Sequence, residues 1–287
     1  MDKLNNKFLC STGTLVRRAN GYNYTRALRI IGELLGEGAI SGGELMMLTH
    51  YYDKFDEVTS AVNASGIPFP VIHCEKGVGT DLSCAAAMDA DGDYISATAM
   101  LLALQSDFRL NCRFGEKIGA KYMVFHLWSG FDSDTNIDYN IENAKEFSDI
   151  ANEYGLRLLF ETIPCTTHDP ISNLSSLLDT FPEAEFIYDT RLSALHGQEI
   201  EFLRNERLTS RMRHMHVSDF IGALRDFSAL RPIYHPYEGQ IDFDSIAAEL
   251  HRIGYSGMIT LESPACAEDE TDKAKLLETF TLLSRVF

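Results

Sequence analysis

Positive charge is scarce in this chain. It carries 25 Lys and Arg against 42 Asp and Glu, a formal net charge of −17. Such a surface repels phosphate backbones and anionic lipid, which argues against a nucleic-acid or membrane-surface partner. It leaves room for an anionic metabolite held in a local basic pocket. Paired cysteines are also missing. The six, Cys10, Cys74, Cys84, Cys112, Cys165 and Cys266, are scattered with no CxxC spacing. That suits reduced thiols and a cytoplasmic location better than a disulfide framework. No stretch approaches the ~20 apolar residues that a membrane helix needs, and MDKLNNKFLCSTGTL does not read as a signal peptide. Linkers rich in Pro, Gly or Ser and low-complexity tracts are absent, so no domain boundary shows within residues 1–287. The turn CSTGTLVRRANG lacks the GxGxxG of a dinucleotide-binding fold.

What is present is alternation. Eight short strand-like runs recur: KFLCSTG, GELMML, FPVIHC, KYMVFHLW, LRLLFET, AEFIYDT, MRHMHVS and GMITLES. Between them lie helical patterns, among them TRALRIIGELLG, DKFDEVTSAVNASG, ISATAMLLALQSDFRLNCRFGEKIG, NIENAKEFSDIANEYG and PISNLSSLLDTF. QEIEFLRNERL, FDSIAAELHRIG and DKAKLLETFTLLSRVF complete the set, and several helices stop at a Gly. Strand–helix alternation predicts a parallel α/β fold. Eight units predict a single-domain (β/α)8 TIM barrel rather than an open doubly wound sheet.

In such a barrel the chemistry gathers at the C-terminal strand ends. Strands three to eight finish in turn with His73, His126, Glu161, Asp189, His216 and Glu262. Alternation places each inside the barrel: Asp189 shares a face with Ile187, Glu262 with Thr260 and Met258, His126 with Val124 and Tyr122. The opposite faces are apolar, as a helix-covered surface requires. Two glutamates, an aspartate and a histidine converging on one mouth would repel unless a cation sat among them. A divalent metal site follows, and its oxygen-rich set suits Mn²⁺, Mg²⁺, Co²⁺ or Zn²⁺ without selecting one. His73 and His126 either bind a second ion or hold substrate hydroxyls. In RMRHMHVSDF, His216 lies at the mouth and His214 one layer deeper on the same face, where a buried hydrogen-bonded role is expected; Asp219 is expected to cap the loop or orient a neighbour.

The order and placement of LLFET, IYDT, HMHVSD, HPYEGQIDFDSI and GYSGMITLESP resemble the xylose isomerase-like barrel superfamily, which includes sugar-phosphate isomerases, ketose 3-epimerases, inosose-processing enzymes and endonuclease IV. The resemblance implies that Glu161, Asp189, His216 and Glu262 bind one metal ion, and that Glu161 and Glu262 exchange protons with a small carbohydrate. A metal polarises a carbonyl–hydroxyl pair and favours an enediolate; one carboxylate removes the proton beside the carbonyl and the other returns it. The implied activity is an isomerase or epimerase of a sugar, sugar phosphate or sugar acid. A dehydratase or lyase of a polyol ketone and a non-catalytic sugar-binding barrel are the alternatives. The resemblance is silent on oligomeric state, and a homo-oligomer is compatible with it.

Two departures stand out. Where the family often has a histidine three residues after the strand-six aspartate, this chain has Leu192; Arg191 and His196 are the candidates to replace it. The Asp-x-His pair of endonuclease IV is missing, since Ile233 stands two before His235, which further disfavours DNA. Other candidates for substrate contact are His235, the only tryptophan, Trp128, and Arg225, with Arg231 beside it in the long loop after strand seven. Each also has a plain structural reading: a core aromatic for Trp128, solvated loop residues for the arginines. Gly239 is read as a turn glycine, Asp242 as a helix cap, and the acidic stretches 89–93 and 268–272 as solvated surface.

Overall fold

The structure is a computed structural model that describes residues 5–287. Its eight strands are β1 (Lys7–Ser11), β2 (Gly42–Met46), β3 (Val71–His73), β4 (Tyr122–Phe125), β5 (Arg157–Glu161), β6 (Glu185–Asp189), β7 (Met212–Val217) and β8 (Met258–Leu261). They pair in sequence order, all parallel, and β1 closes on β8, so the sheet is a barrel. Every strand falls within a run expected from the sequence, except that β2 begins one residue early, at Gly42. Among the described residues, no helix is long and apolar enough to cross a membrane.

The helices are α1 (Tyr24–Gly36), α2 (Phe55–Ala64), α3 (Gly77–Ala90), α4 (Tyr94–Ile118), α5 (Ile137–Glu153), α6 (Pro170–Thr180), α7 (Thr190–Leu195), α8 (Glu199–Arg204), α9 (Glu206–Thr209), α10 (Phe243–Ile253) and α11 (Thr271–Val286). Their starts follow the local chemistry. Asn23, Asp93, Asp169 and Asp242 each accept a hydrogen bond from the backbone N–H three residues on, a cap that contributes about 1 kcal/mol. At Gly119 and Gly254 the chain turns left-handed (φ 74° and 64°), which stops α4 and α10.

Four features depart from the sequence expectation. Helix α3 was not expected, because GVGTDLSCAAAMDA carries small residues and no apolar stripe, and neither was α7, since TRLSAL is too short to show a helical period. The expected helix QEIEFLRNERL is broken: Asn205 leaves the helix (ψ 97°) and its side chain caps α9 instead. Asp272 is not a solvated surface acid. It is 2% exposed, pairs with Arg26 at 2.6 Å and accepts from the N–H groups of Ala267 and Glu268, pinning the β8–α11 loop to α1.

Two apolar layers position the mouth. Outward-facing Met123, Phe125, Phe186, Tyr188, Met215, Ile259 and Leu261 pack under the helices. Inside the barrel, Leu9, Val71, Val124, Leu159 and Ile187 pack together with Tyr122 and Met258. The interior apolar plug leaves the polar inward residues at the C-terminal end of the strands, where Asp189 lies in register with His216 and His216 with Thr260.

Candidate metal centre

Each polar side chain at the mouth arrives on a different strand, and strand direction sets its depth. Glu161 is at the centre. Its Oε1 lies 2.9 Å from Nδ1 of His216, and its Oε2 lies 2.7 Å from Nε2 of His126 and 3.5 Å from Nε2 of His73. Glu262 brings Oε1 to 3.7 Å from the same His216 Nδ1. Potential ligand atoms of Glu161, Asp189 and His216 all fall within 4.8 Å of one another, as do those of His73, His216 and Glu262. The four residues expected to share an ion are therefore brought together, with His73 and His126 beside them.

Behind the mouth lies a residue that the sequence reading passed over. Glu44, on β2, is fully buried. It faces Nε2 of His216 at 3.0 Å, Nε2 of His214 at 2.8 Å and the Thr260 hydroxyl at 2.9 Å. An ionised carboxylate only accepts, so it holds a proton on His216 Nε2 and turns Nδ1 toward Glu161 and Glu262. A histidine whose far nitrogen is fixed by a buried carboxylate is the usual arrangement of a metal-ligating imidazole. His214 occupies the deeper layer expected of it.

The electrostatics are those of anions crowded together. Burial drives the Asp189 carboxyl up, and Glu161 and Glu262 add to this against Arg191 and His216, raising it to about 7. Burial alone would depress His216, but Glu262, Glu44 and Glu161 outweigh it and hold its pKa well above the usual value. For Glu161, burial is outweighed by His216 and His126, which keep the carboxyl well below its ordinary range. Burial lowers His126 to about 4.

Five buried atoms at this point have no hydrogen-bond partner: Nε2 of His73, Nε2 of His126, Oε2 of Glu161, Oδ2 of Asp189 and Oε1 of Glu262. His126 Nε2 and Glu161 Oε2 are close but misaligned for a hydrogen bond. His73 donates from Nδ1 to the Cys74 carbonyl at 2.7 Å, which leaves its Nε2 facing Glu161. Orphaned buried groups are rare and costly. Oxygen and imidazole donors without protein partners, at the C-terminal ends of five different strands, fit a divalent cation.

A cleft of about 780 Å³ opens above, within the usual size of a small-molecule site, and is walled in part by His126, Trp128, Arg191, Leu192 and Glu262. Arg191 is buried, donating from Nε to the Ser218 hydroxyl at 3.1 Å and from Nη1 to the Leu230 carbonyl at 3.3 Å. Trp128 is a core aromatic: it is fully buried and its indole N–H goes to the Pro164 carbonyl. Three candidates point elsewhere. His235 uses both ring nitrogens, on Thr279 and the Pro264 carbonyl, because it packs under α11. Arg225 donates to the His168 carbonyl in an exposed loop. His196 accepts from the Cys165 N–H. Asp219 caps its loop as expected, accepting from Phe220, Gly239 and Ile241. Gly239 is required there by closeness, since a Cβ would come 2.3 Å from Asp219 Oδ1.

The family model for the xylose isomerase-like TIM barrel matches residues 45–281. The chain belongs to that family. Solved structures share the xylose isomerase-like fold over its whole length. A D-tagatose 3-epimerase-like protein has 18% identity and a TM-score of 0.66, over 97% of this chain and 98% of its own. D-allulose 3-epimerase from Methylomonas sp., in complex with D-allulose, has 14% identity and a TM-score of 0.68, over 99% and 98%. The IolI protein with a bound zinc atom has 14% identity and a TM-score of 0.69, over 98% and 99%. No curated protein sequence matches the chain.

Proposed function

We propose that this chain is a divalent-metal-dependent isomerase or epimerase of a small sugar, sugar phosphate or sugar acid. The observation that carries the reading is the set of five partnerless donor atoms around His216, two of them on Glu161 and Glu262. The family and the sugar-epimerase names among the similar structures support the substrate class. In this reading Glu161, Asp189, His216 and Glu262 hold the ion, and Mn²⁺, Mg²⁺, Co²⁺ or Zn²⁺ suits the set. When bound, the ion supplies Lewis-acid polarisation of a sugar carbonyl.

The chain's own residues do the rest. Glu161 and Glu262 reach the same imidazole nitrogen from β5 and β8, so a sugar in the cleft meets two carboxylates. One takes the proton on the carbon beside the carbonyl; the other delivers a proton to the opposite face or to the neighbouring carbon. Glu161, kept ionised by its histidines, suits the role of base. His73 and His126 present Nε2 to the same point and bind or orient sugar hydroxyls. Arg191 flanks the site from α7, on the element that has Leu192 where the family often has histidine.

The test is product analysis in D₂O with ketoses and sugar acids and added Mn²⁺. Deuterium gained at carbon in a product of otherwise unchanged formula supports isomerisation. Loss of water from the product would assign a dehydratase, and binding without exchange a sugar-binding barrel; either would overturn the proposal.

A further inference from the structure

The cleft inverts the charge of the molecule. Across the chain acidic residues outnumber basic ones by 42 to 25. Lining the cleft, five basic side chains, Arg17, Arg18, Lys76, Arg191 and Arg231, stand against a single acidic one, Glu262. They come from the segments that follow β1, β3, β6 and β7, Arg191 from α7, so no one local run accounts for them. Arg17 is partly neutralised by Glu268 at 3.1 Å. Arg18, Lys76 and Arg231 make no ion pair among the described residues. Arg191 is the telling member. It is 7% exposed, its Nε and Nη1 are occupied, and Nη2 has no protein partner among the described residues.

A guanidinium already fixed by two hydrogen bonds, with donors left over at a cleft wall, is a prepared contact for an anion. An acidic protein also gains from concentrating positive potential where an anion must enter against the overall field. From this we propose that the sugar bound in the cleft carries an anionic group, phosphate or carboxylate, received by Arg191 with Arg18, Lys76 and Arg231 around it. The proposal deepens the reading of the mouth as a sugar site and rests on it. A neutral ketose would leave Arg18, Lys76 and Arg231 without an ionic partner among the described residues.

Calorimetric titration of the full chain, as purified, with inorganic phosphate and separately with glycerate tests this. The wild type should bind at least one of them saturably. The double variant Arg18→Ala/Arg231→Ala, altered only at exposed positions, should bind it at least tenfold more weakly at the same ionic strength. Preference for phosphate assigns a sugar phosphate and preference for glycerate a sugar acid; both support the proposal. Saturable binding of neither anion, or equal binding by the double variant, as an ion captured elsewhere would give, overturns it. Because the readout is binding, the two readings fail separately. A chain that binds the anion but exchanges no deuterium keeps the anion site and loses the isomerase reading. One that exchanges deuterium into neutral ketoses without anion binding does the reverse.

Discussion

Replacing Glu44 by glutamine perturbs the centre without replacing a proposed ligand. The carboxylate is fully buried and faces His216, His214 and Thr260 at 2.8–3.1 Å. Glutamine keeps the shape but offers one acceptor oxygen and one NH₂. Either His214 or His216 must then face a donor instead of an acceptor. If that ring is His216, its Nε2 becomes the acceptor and Nδ1 takes the proton, closing the lone pair that the ion needs. If it is His214, His216 keeps its tautomer but loses the charge that raises its basicity. Losing such an outer carboxylate typically weakens metal binding 10- to 100-fold, or about 1.4–2.7 kcal/mol. The assay is a competition titration of Mn²⁺ or Zn²⁺ against a chromophoric chelator, with circular dichroism to verify folding. Glu44→Ala, which strands two histidines, should also destabilise the fold by about 3–5 kcal/mol. A folded Glu44→Gln protein with wild-type metal affinity would refute the role assigned to this carboxylate.

Other outcomes follow from the same geometry. Glu161→Gln and Glu262→Gln should each abolish deuterium transfer, about 10²-fold or more, and full activity in Glu262→Gln would sink the two-carboxylate mechanism. Asp134 joins the loops after β4 and β5: it accepts from the N–H groups of Thr166, Thr167 and His168 and from the Asn173 amide. Asp134→Ala should cost about 3 kcal/mol, seen as a fall in Tm of about 5 °C for a chain of this length. Those hydrogen bonds outweigh burial and hold the Asp134 carboxyl down at about 2. Being depressed below its unfolded value, it adds stability above about pH 4 and loses it as pH falls toward 2; acid unfolding of Asp134→Asn should show a shallower slope there. Replacing His235 by glutamine should leave turnover within a few-fold while lowering stability, since both ring nitrogens serve Thr279 and Pro264.

The barrel was legible because parallel strands are buried on both faces. Each reads as an apolar run, and the polar residue that ends it marks the mouth; hence Glu161, Asp189 and His216 could be placed from sequence. Glu44 was not, because it stands inside GELMML with no polar neighbour, and the histidines it serves lie 170 and 172 residues away. The signal was there: a carboxylate amid buried positions needs partners, and His214 and His216 share one face. His235 and Arg225 misled because loop residues have no periodicity to say where they point. Asp272 misled because an acidic run looks solvated until Arg26, 246 residues away, is found beside it. Helix α3 stayed hidden for want of an apolar stripe.

The most direct test of the central claim is the divalent-metal content of the protein dialysed against excess Mn²⁺ and then freed of unbound ion. The account predicts a tightly held ion in the wild type, with the occupancy of that site lost in both Asp189→Asn and His216→Ala. A wild-type chain that retains no divalent ion, or variants that retain as much as the wild type, would contradict it.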